Sequence, residues 1–423
     1  MTDTMYLAKN GDNVEIGTKD LQLLLQQKLG EQVMVLKSTT SSLLPSGENF
    51  ACSIFEVLVV LKKNTNAPQE QLYLIAKMFP KEDFIKNIFD FSLFFKKEIF
   101  FYQRLLPAFQ QLEIDFGTKA SEIFDLAPKV FGTRYSANSN VKVVDDSTLI
   151  LMENLKRSGY YTLDKIEGLD LNHSRMAIRT LARFHALGIA CKHYRPEFFE
   201  TEVLAHSKIV PYQNLKNAKN MFDVMFNKLC EDPRIAVHRE ALGIVLGQKM
   251  KSMYFEYVAN DPWLSLVHLD AWTNNILYRK DEEGNLHDIK MIDFQNYTYN
   301  SPLRDLPYFL CTSTRRDVFA GKLDELLDLY YETFIEVLKK MRCNVEPFNR
   351  SSFDKQLNID CSIEFFHSIL AIKFFYAEID VNTYNSNQLE SVIIHSKLTP
   401  SGYDKWYDIV TTYIKRGWIQ DFL

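Results

Sequence analysis

The string His268-Leu269-Asp270-Ala271-Trp272-Thr273-Asn274-Asn275, followed by Met291-Ile292-Asp293-Phe294-Gln295, sets two carboxylates and an amide at H-x-D-x-x-x-x-N…D-F spacing. Phosphoryl transfer calls for those groups. Asp270 would orient an acceptor hydroxyl and take its proton, Asn275 would hold one Mg²⁺, and Asp293 would serve the other metal position. The residues between fit that plan. Ile276-Leu277-Tyr278 and Ile289-Lys290-Met291-Ile292 read as short strands, joined by the polar, glycine-containing turn Asp281-Glu282-Glu283-Gly284-Asn285. A hairpin of this kind returns Asp293 to the side of Asn275.

Those residues need a scaffold, and the first third of the chain reads as the part that would hold a nucleotide. A short amphipathic helix is expected over 15–30, ending near Gly30, then strands over 33–37, 50–62 and 72–79. Such punctuation is that of an antiparallel sheet in a small N-terminal lobe. Between the first two strands, Leu44-Pro45-Ser46-Gly47-Glu48-Asn49-Phe50-Ala51 is either a plain hairpin turn or a turn covering nucleotide phosphates, with Ser46, Gly47 and Glu48 at its tip. Lys77 closes the third strand. After Pro80 a helix is expected, with Phe84, Ile88, Phe91, Phe95, Glu98, Tyr102 and Leu105 along one stripe and Pro107 ending it. Glu98 thus takes an apolar position, which is costly without a partner. Lys77 is the natural one, and that pair holds a lysine against the α/β-phosphates in kinase-like sites. The strand Ser147-Thr148-Leu149-Ile150-Leu151-Met152-Glu153-Asn154-Leu155 marks a hinge, where main-chain groups at Glu153 and Leu155 could meet an adenine edge.

From Leu169 onward the pattern is mainly helical. The segment 175–190 reads as a packed interior helix in which His185 is a satisfied core histidine, and helical character resumes at 217–229 and 238–257. Ser301-Pro302-Leu303-Arg304-Asp305-Leu306 starts another turn and helix. The expected division is a nucleotide-binding lobe over 1–154 and a helical lobe with the catalytic loop and acceptor site over 155–423. The fold class is α+β: bilobal and protein-kinase-like, with a small antiparallel-sheet lobe and a larger, mostly helical one.

Composition narrows the function. At 423 residues, two or three domain-sized units are expected. A net charge of −5 gives no basic surface for nucleic acid. No apolar run reaches the roughly 20 residues of a membrane helix, and the polar N-terminus lacks a signal-peptide core. The six cysteines are scattered without a C-x-x-C pair, so free thiols in a reducing, cytoplasmic compartment are expected. N-x-S/T triplets at Asn172, Asn296 and Asn349 read as accidental. The 31 phenylalanines and 21 tyrosines suggest large aromatic cores, or an aromatic-lined pocket. No obligate protein partner is evident.

With Lys77, Glu98, Glu153, His268-x-Asp270, Asn275, Asp293-Phe294-Gln295 and Asp305 in order, the chain resembles the ecdysteroid kinase-like family of insects, within the choline kinase and aminoglycoside phosphotransferase group. Further matching strings are Gly47-Glu48-Asn49-Phe50-Ala51, Lys97-Glu98-Ile99-Phe100-Phe101-Tyr102, Leu181-Ala182-Arg183-Phe184-His185-Ala186-Leu187 and Trp272-Thr273-Asn274-Asn275. The resemblance covers about residues 30–400. It implies Asp270 as base, Asn275 and Asp293 as Mg²⁺ ligands, Lys77 on the phosphates of ATP with Glu98 as its partner, and Asp305 orienting the loop. It also implies a small-molecule hydroxyl acceptor, such as an ecdysteroid or another steroid or xenobiotic alcohol. Two other readings stand beside it: a choline- or aminoglycoside-type kinase with a cationic acceptor, and an inactive protein that sequesters a hormone. The family usually writes H-G-D where this chain has His268-Leu269-Asp270, which implies a change in loop shape. The glycine-poor phosphate turn is ordinary for the family.

Overall fold

The computed structural model describes residues 9–10, 13–14, 16–43, 52–79, 91–138, 143–208, 215–248, 261–378 and 394–419. The chain forms two compact units: Met1–Arg104 with Ala127–Tyr161, and Leu105–Leu126 with Thr162–Leu423.

The first unit is built on β-alternation. In the strand Ser53–Lys62, every second residue (Phe55, Val57, Val59, Leu61) is buried, the period of two that turns one face of a strand to a core. This strand, β2, pairs antiparallel with β1 (Met34–Ser42) and β3 (Glu70–Met78). β4 (Val130–Arg134) and β5 (Leu149–Glu153) complete a sheet of order β1-β2-β3-β5-β4. Helix α1 (Thr18–Leu29) lays Leu21, Leu24 and Leu25 on the face carrying Val57, Val59, Leu74 and Ala76. Fully burying each leucine contributes about 1.5–3 kcal/mol, so the helix is held by packing as much as by propensity. Gly30, at φ +99°, ends it in a backbone that other residues avoid. Leu74, Ala76 and Met78 belong to the α1 side, so Lys77 between them points to the opposite face.

Helix α2 (Phe91–Phe100) leads into a π-helical turn at Phe101–Leu105 and then α3 (Leu106–Asp115). Phe84 and Ile88 of the expected stripe lie outside the described residues. Pro107 does not end the helical run. It sits in the first turn of α3, directly after the π-helical turn, and the helical run continues through it.

The second unit is mostly helical. α4 (Leu171–Tyr194) is capped by the Asp170 side chain, which accepts from the N–H groups of Asn172 and His173. α5 (Leu215–Leu229) and α6 (Arg239–Gln248) follow. Two short antiparallel pairs come next: β6 (Ser265–Val267) with β9 (Thr298–Asn300), and β7 (Ile276–Lys280) with β8 (Leu286–Met291). Then come α7 (Asp305–Ser313), α8 (Leu323–Lys340), α9 (Arg350–Tyr376) and α10 (Pro400–Arg416). α4 packs on both α8 and β6. Its approach to β6 depends on Gly188, where a Cβ would collide with the Ser265 hydroxyl, and that hydroxyl donates to the His185 carbonyl at 2.7 Å. The buried interior helix thus abuts the strand that feeds the His268 loop. The fold is α+β, with an antiparallel-sheet lobe and a larger helical lobe, the protein-kinase-like class expected from the sequence. Among the described residues no helix is long and apolar enough to cross a membrane.

Candidate active site

In the second unit, the loop after β6 is fixed from below by one carboxylate. Asp305, fully buried at the start of α7, accepts from the His268 N–H on Oδ2 (2.7 Å) and from the Leu269 N–H on Oδ1 (2.8 Å). Its Oδ2 also meets His185 Nε2 at 3.0 Å, and His185 Nδ1 lies 2.8 Å from the Tyr330 hydroxyl. Burial alone would raise the Asp305 carboxyl, but the His185 and backbone donors hold it below the usual carboxylate range. It is therefore an anion fastening two consecutive amides of the loop. His185 is a core histidine with both ring nitrogens engaged.

His268 ties the loop to the strand end that carries Asp293. The Asp270 N–H donates to His268 Nδ1 (3.2 Å), so the ring proton sits on Nε2, which donates to the Ile292 carbonyl at 3.2 Å. Burial lowers the imidazole pKa and keeps the ring neutral. The Ile292 N–H donates to the Asn275 carbonyl (3.0 Å), extending the β7–β8 hairpin whose last pair sets Met291 opposite Ile276. Asn275 and Asp293 are thereby neighbours across that hairpin.

Asn275 Nδ2 donates to the Asp270 main-chain oxygen (3.0 Å) and to Asp270 Oδ2 (3.1 Å). Its amide oxygen keeps no protein donor among the described residues. Asp270 is half-buried. Desolvation and the charge of Asp293 push its carboxyl well above the usual range, against hydrogen bonds from Tyr308 and Asn275 that pull it down. Leu269 has φ +61° and Asp293 φ +68°. Aspartate tolerates that left-handed region, whereas leucine is strained there. The loop therefore keeps a backbone suited to glycine even though its sequence has leucine.

In the first unit, Lys77 and Glu98 meet in an ion pair with Nζ 2.6 Å from Oε2, the side chains 6% and 2% exposed. The other Glu98 oxygen accepts from the Tyr102 hydroxyl one turn on (3.2 Å). Glu153 lies at the end of β5, where its N–H donates to the Lys129 carbonyl (2.8 Å) and its Oε1 accepts from the Ser158 hydroxyl (2.5 Å). The Leu155 carbonyl accepts from the Ser158 and Tyr160 N–H groups, both at 3.0 Å. The Leu155 N–H has no acceptor among the described residues. Ser46, Gly47 and Glu48, the tip of the expected phosphate turn, lie outside the described residues.

The sequence reading passed over two hydroxyls, that of Tyr102 on Glu98 and that of Tyr308, which donates to Asp270 Oδ1 at 3.2 Å. Helical spacing was the available signal: Tyr102 is four residues after Glu98, and Tyr308 is three after Asp305.

A sheet lobe with a buried lysine–glutamate pair, and a helical lobe whose aspartate loop is anchored by a second buried aspartate, define a protein-kinase-like protein. The chain belongs to the ecdysteroid kinase-like family, which it matches over residues 46–343. No curated protein sequence matches it significantly. Among solved structures it is similar to an ethanolamine kinase of Plasmodium vivax, at 11% identity and a TM-score of 0.41 over 98% of this chain and 94% of that one. It is also similar to amicoumacin kinase hAmiN in complex with AMP-PNP, Ca²⁺ and Ami, at 11% identity and 0.39 over 87% and 88%. A choline/ethanolamine kinase family protein from Mesorhizobium loti follows, at 12% identity and 0.29 over 88% and 92%. Scores this low carry no functional weight. Family membership supports phosphotransferase chemistry on a small molecule.

Proposed function

We propose that this protein is an ATP-dependent small-molecule kinase that transfers the γ-phosphate to a hydroxyl of an organic acceptor, an ecdysteroid or another steroid or xenobiotic alcohol. The observation that carries the proposal is the pair Asp270 and Asn275 on a loop whose backbone is fastened by the Asp305 anion, with Asp293 returned beside it by the β7–β8 hairpin. Asp270 accepts the proton of the acceptor hydroxyl on a carboxylate oxygen as the acceptor oxygen bonds to phosphorus. The bond from the γ-phosphorus to the bridging oxygen breaks, and ADP leaves. Holding the reacting groups in line contributes most of the rate in such transfers.

The residues present fit a divalent ion. Asn275 turns its amide nitrogen toward Asp270 and so frees its oxygen, and Asp293, near enough for its charge to act on Asp270, adds a carboxylate. One amide oxygen and one carboxylate would leave most of the shell of a Mg²⁺ ion to waters and phosphate oxygens, which that ion keeps. When bound, Mg²⁺ supplies positive charge to the phosphates. Lys77, held by Glu98, would meet the phosphates, Ser46, Gly47 and Glu48 would cover them, and Glu153 and the free Leu155 N–H would face the adenine edge.

For the acceptor, support comes from Trp272. It follows Asp270 by two residues, is half-buried, and stacks flat on Phe375 of α9 (4.1 Å between centroids, 8° between planes). That aromatic wall suits an apolar alcohol, and an aromatic face also attracts an ammonium group, so the wall by itself does not separate the two acceptor classes. The nearby α9 carboxylates Asp360 and Glu364 are buried and engaged by Ser301 and Arg304, not presented to a cation. Incubation with Mg-ATP and a panel of steroid alcohols, choline and aminoglycosides, read by mass spectrometry, tests the reading. Phosphorylated steroid alcohols are expected. Phosphorylation of the cationic compounds alone would overturn the acceptor assignment, and no phosphorylated product of any kind would overturn the activity.

A further inference from the structure

A carboxylate can rotate about its Cβ–Cγ bond, and a single hydrogen bond leaves much of that rotation free. Asp270 is held at both oxygens, by two different elements. Asn275 Nδ2 reaches Oδ2 at 3.1 Å from within the loop, and the Tyr308 hydroxyl reaches Oδ1 at 3.2 Å from α7. Tyr308 lies three residues after Asp305, on the same face of α7. One helix therefore fixes both the loop backbone, through Asp305, and the carboxylate plane, through Tyr308.

Tyr308 is itself constrained. It is 4% exposed, and its ring lies on that of His367 (4.3 Å, 23° between planes). His367 Nδ1 is bonded to Glu364 Oε2 at 2.8 Å, and the buried Glu364 is ion-paired with Arg304, the residue before Asp305. These contacts run from the start of α7, across α9, and back to Tyr308. Burial and the carboxylate of Asp270 keep the phenol protonated and hence a donor.

We infer that Tyr308 is a positioning residue for the transfer: its hydroxyl fixes the plane of the Asp270 carboxylate so that one oxygen lone pair faces the acceptor hydroxyl. The inference rests on Asp270 being the base. Tyr308 neither takes the proton nor contacts the phosphates. Without its hydroxyl the carboxylate swings about its Asn275 contact, and the acceptor oxygen is activated in fewer encounters. Water then competes better for the bound nucleotide.

The test is kinetic, on the full chain, with Tyr308→Phe, Asp270→Asn and the double variant. Phenylalanine keeps the ring stacked on His367 and removes only the hydroxyl, and thermal unfolding checks that the fold is retained. Tyr308→Phe should lower kcat for acceptor phosphorylation about 10- to 100-fold, the effect of losing a hydrogen bond to a charged group. KM for Mg-ATP should stay unchanged, and more ATP should be hydrolysed per acceptor phosphorylated. In the Asp270→Asn background, adding Tyr308→Phe should change kcat by less than about twofold, because a residue that acts through Asp270 has nothing left to position. Parental kcat and coupling in Tyr308→Phe, or multiplicative losses in the double variant, would overturn the inference while leaving the base assignment intact. Parental turnover in Asp270→Asn would instead remove the base assignment, and the inference with it.

Discussion

Replacing Lys77 by methionine removes the positive partner of a glutamate that is almost entirely out of water. At 2.6 Å and an effective dielectric constant of about 20, the gross attraction is about 6 kcal/mol. Desolvating both groups offsets most of that, so the intact pair contributes little net stability. Breaking it from one side is another matter. Lys77→Met leaves the Glu98 carboxylate buried without its lysine, which costs about 3–5 kcal/mol. Glu98→Gln keeps the Tyr102 contact and removes the carboxylate charge that Lys77 meets. The double variant buries neither uncompensated charge, so its loss should fall short of the sum of the singles, with a coupling of about 0.5–3 kcal/mol. Urea unfolding of the parent and the three variants, compared at constant denaturant sensitivity, reads the cycle. Additive losses would show that the two side chains do not act on one another, and the role given to Lys77 would fall with them.

Two further expectations concern stability. At Leu269, with φ +61°, glycine should be more stable than alanine by about 1 kcal/mol, the reverse of the order at an ordinary position. Comparing Leu269→Gly with Leu269→Ala in thermal unfolding decides it, and alanine equal to or above glycine would contradict the strained backbone. Asp360 is buried, and desolvation raises its carboxyl from 3.8 to about 7, against hydrogen bonds from Ser301 and Gln356 and the charge of Arg304. Its stabilising contribution is complete below about pH 4, where both folded and unfolded chains are protonated, and is lost as the pH rises to about 7, a change on the order of 4 kcal/mol. Asp360→Asn should flatten that decline. Parallel stability curves for parent and variant between pH 4 and pH 7 would count against it.

Much of the fold could be read from local pattern. Alternating burial along Ser53–Lys62 and the helical stripe through Phe91, Phe95 and Glu98 are short-range signals, and the sheet and helix follow them. The ion pair at Lys77 was legible because an acid on an apolar stripe demands a partner. Contacts set by distant packing were not. Tyr308 reaches Asp270 across 38 positions, and Arg304 reaches Glu364 across 60. No periodicity links such pairs. Val130–Arg134 is a five-residue strand interrupted by Gly132, too short to stand out although Val130, Phe131 and Thr133 are β-formers. Pro107 misled for a related reason: proline ordinarily breaks a helix interior, and the π turn directly before it, from which the helical run continues, has no sequence signature here. The left-handed backbone at Leu269 had one signal, the glycine that the family usually writes there, but leucine in its place reads as a change in loop shape.

The central claim is that Asp270 takes the acceptor proton during transfer from ATP. Single-turnover transfer from preloaded Mg-ATP to a saturating acceptor, compared between parent and Asp270→Asn, tests it most directly. Nucleotide affinity should be unchanged, because Asp270 serves the acceptor. The transfer rate should fall by about two to four orders of magnitude, the usual effect of losing a general base. A variant that transferred phosphate at the parental rate would contradict the account.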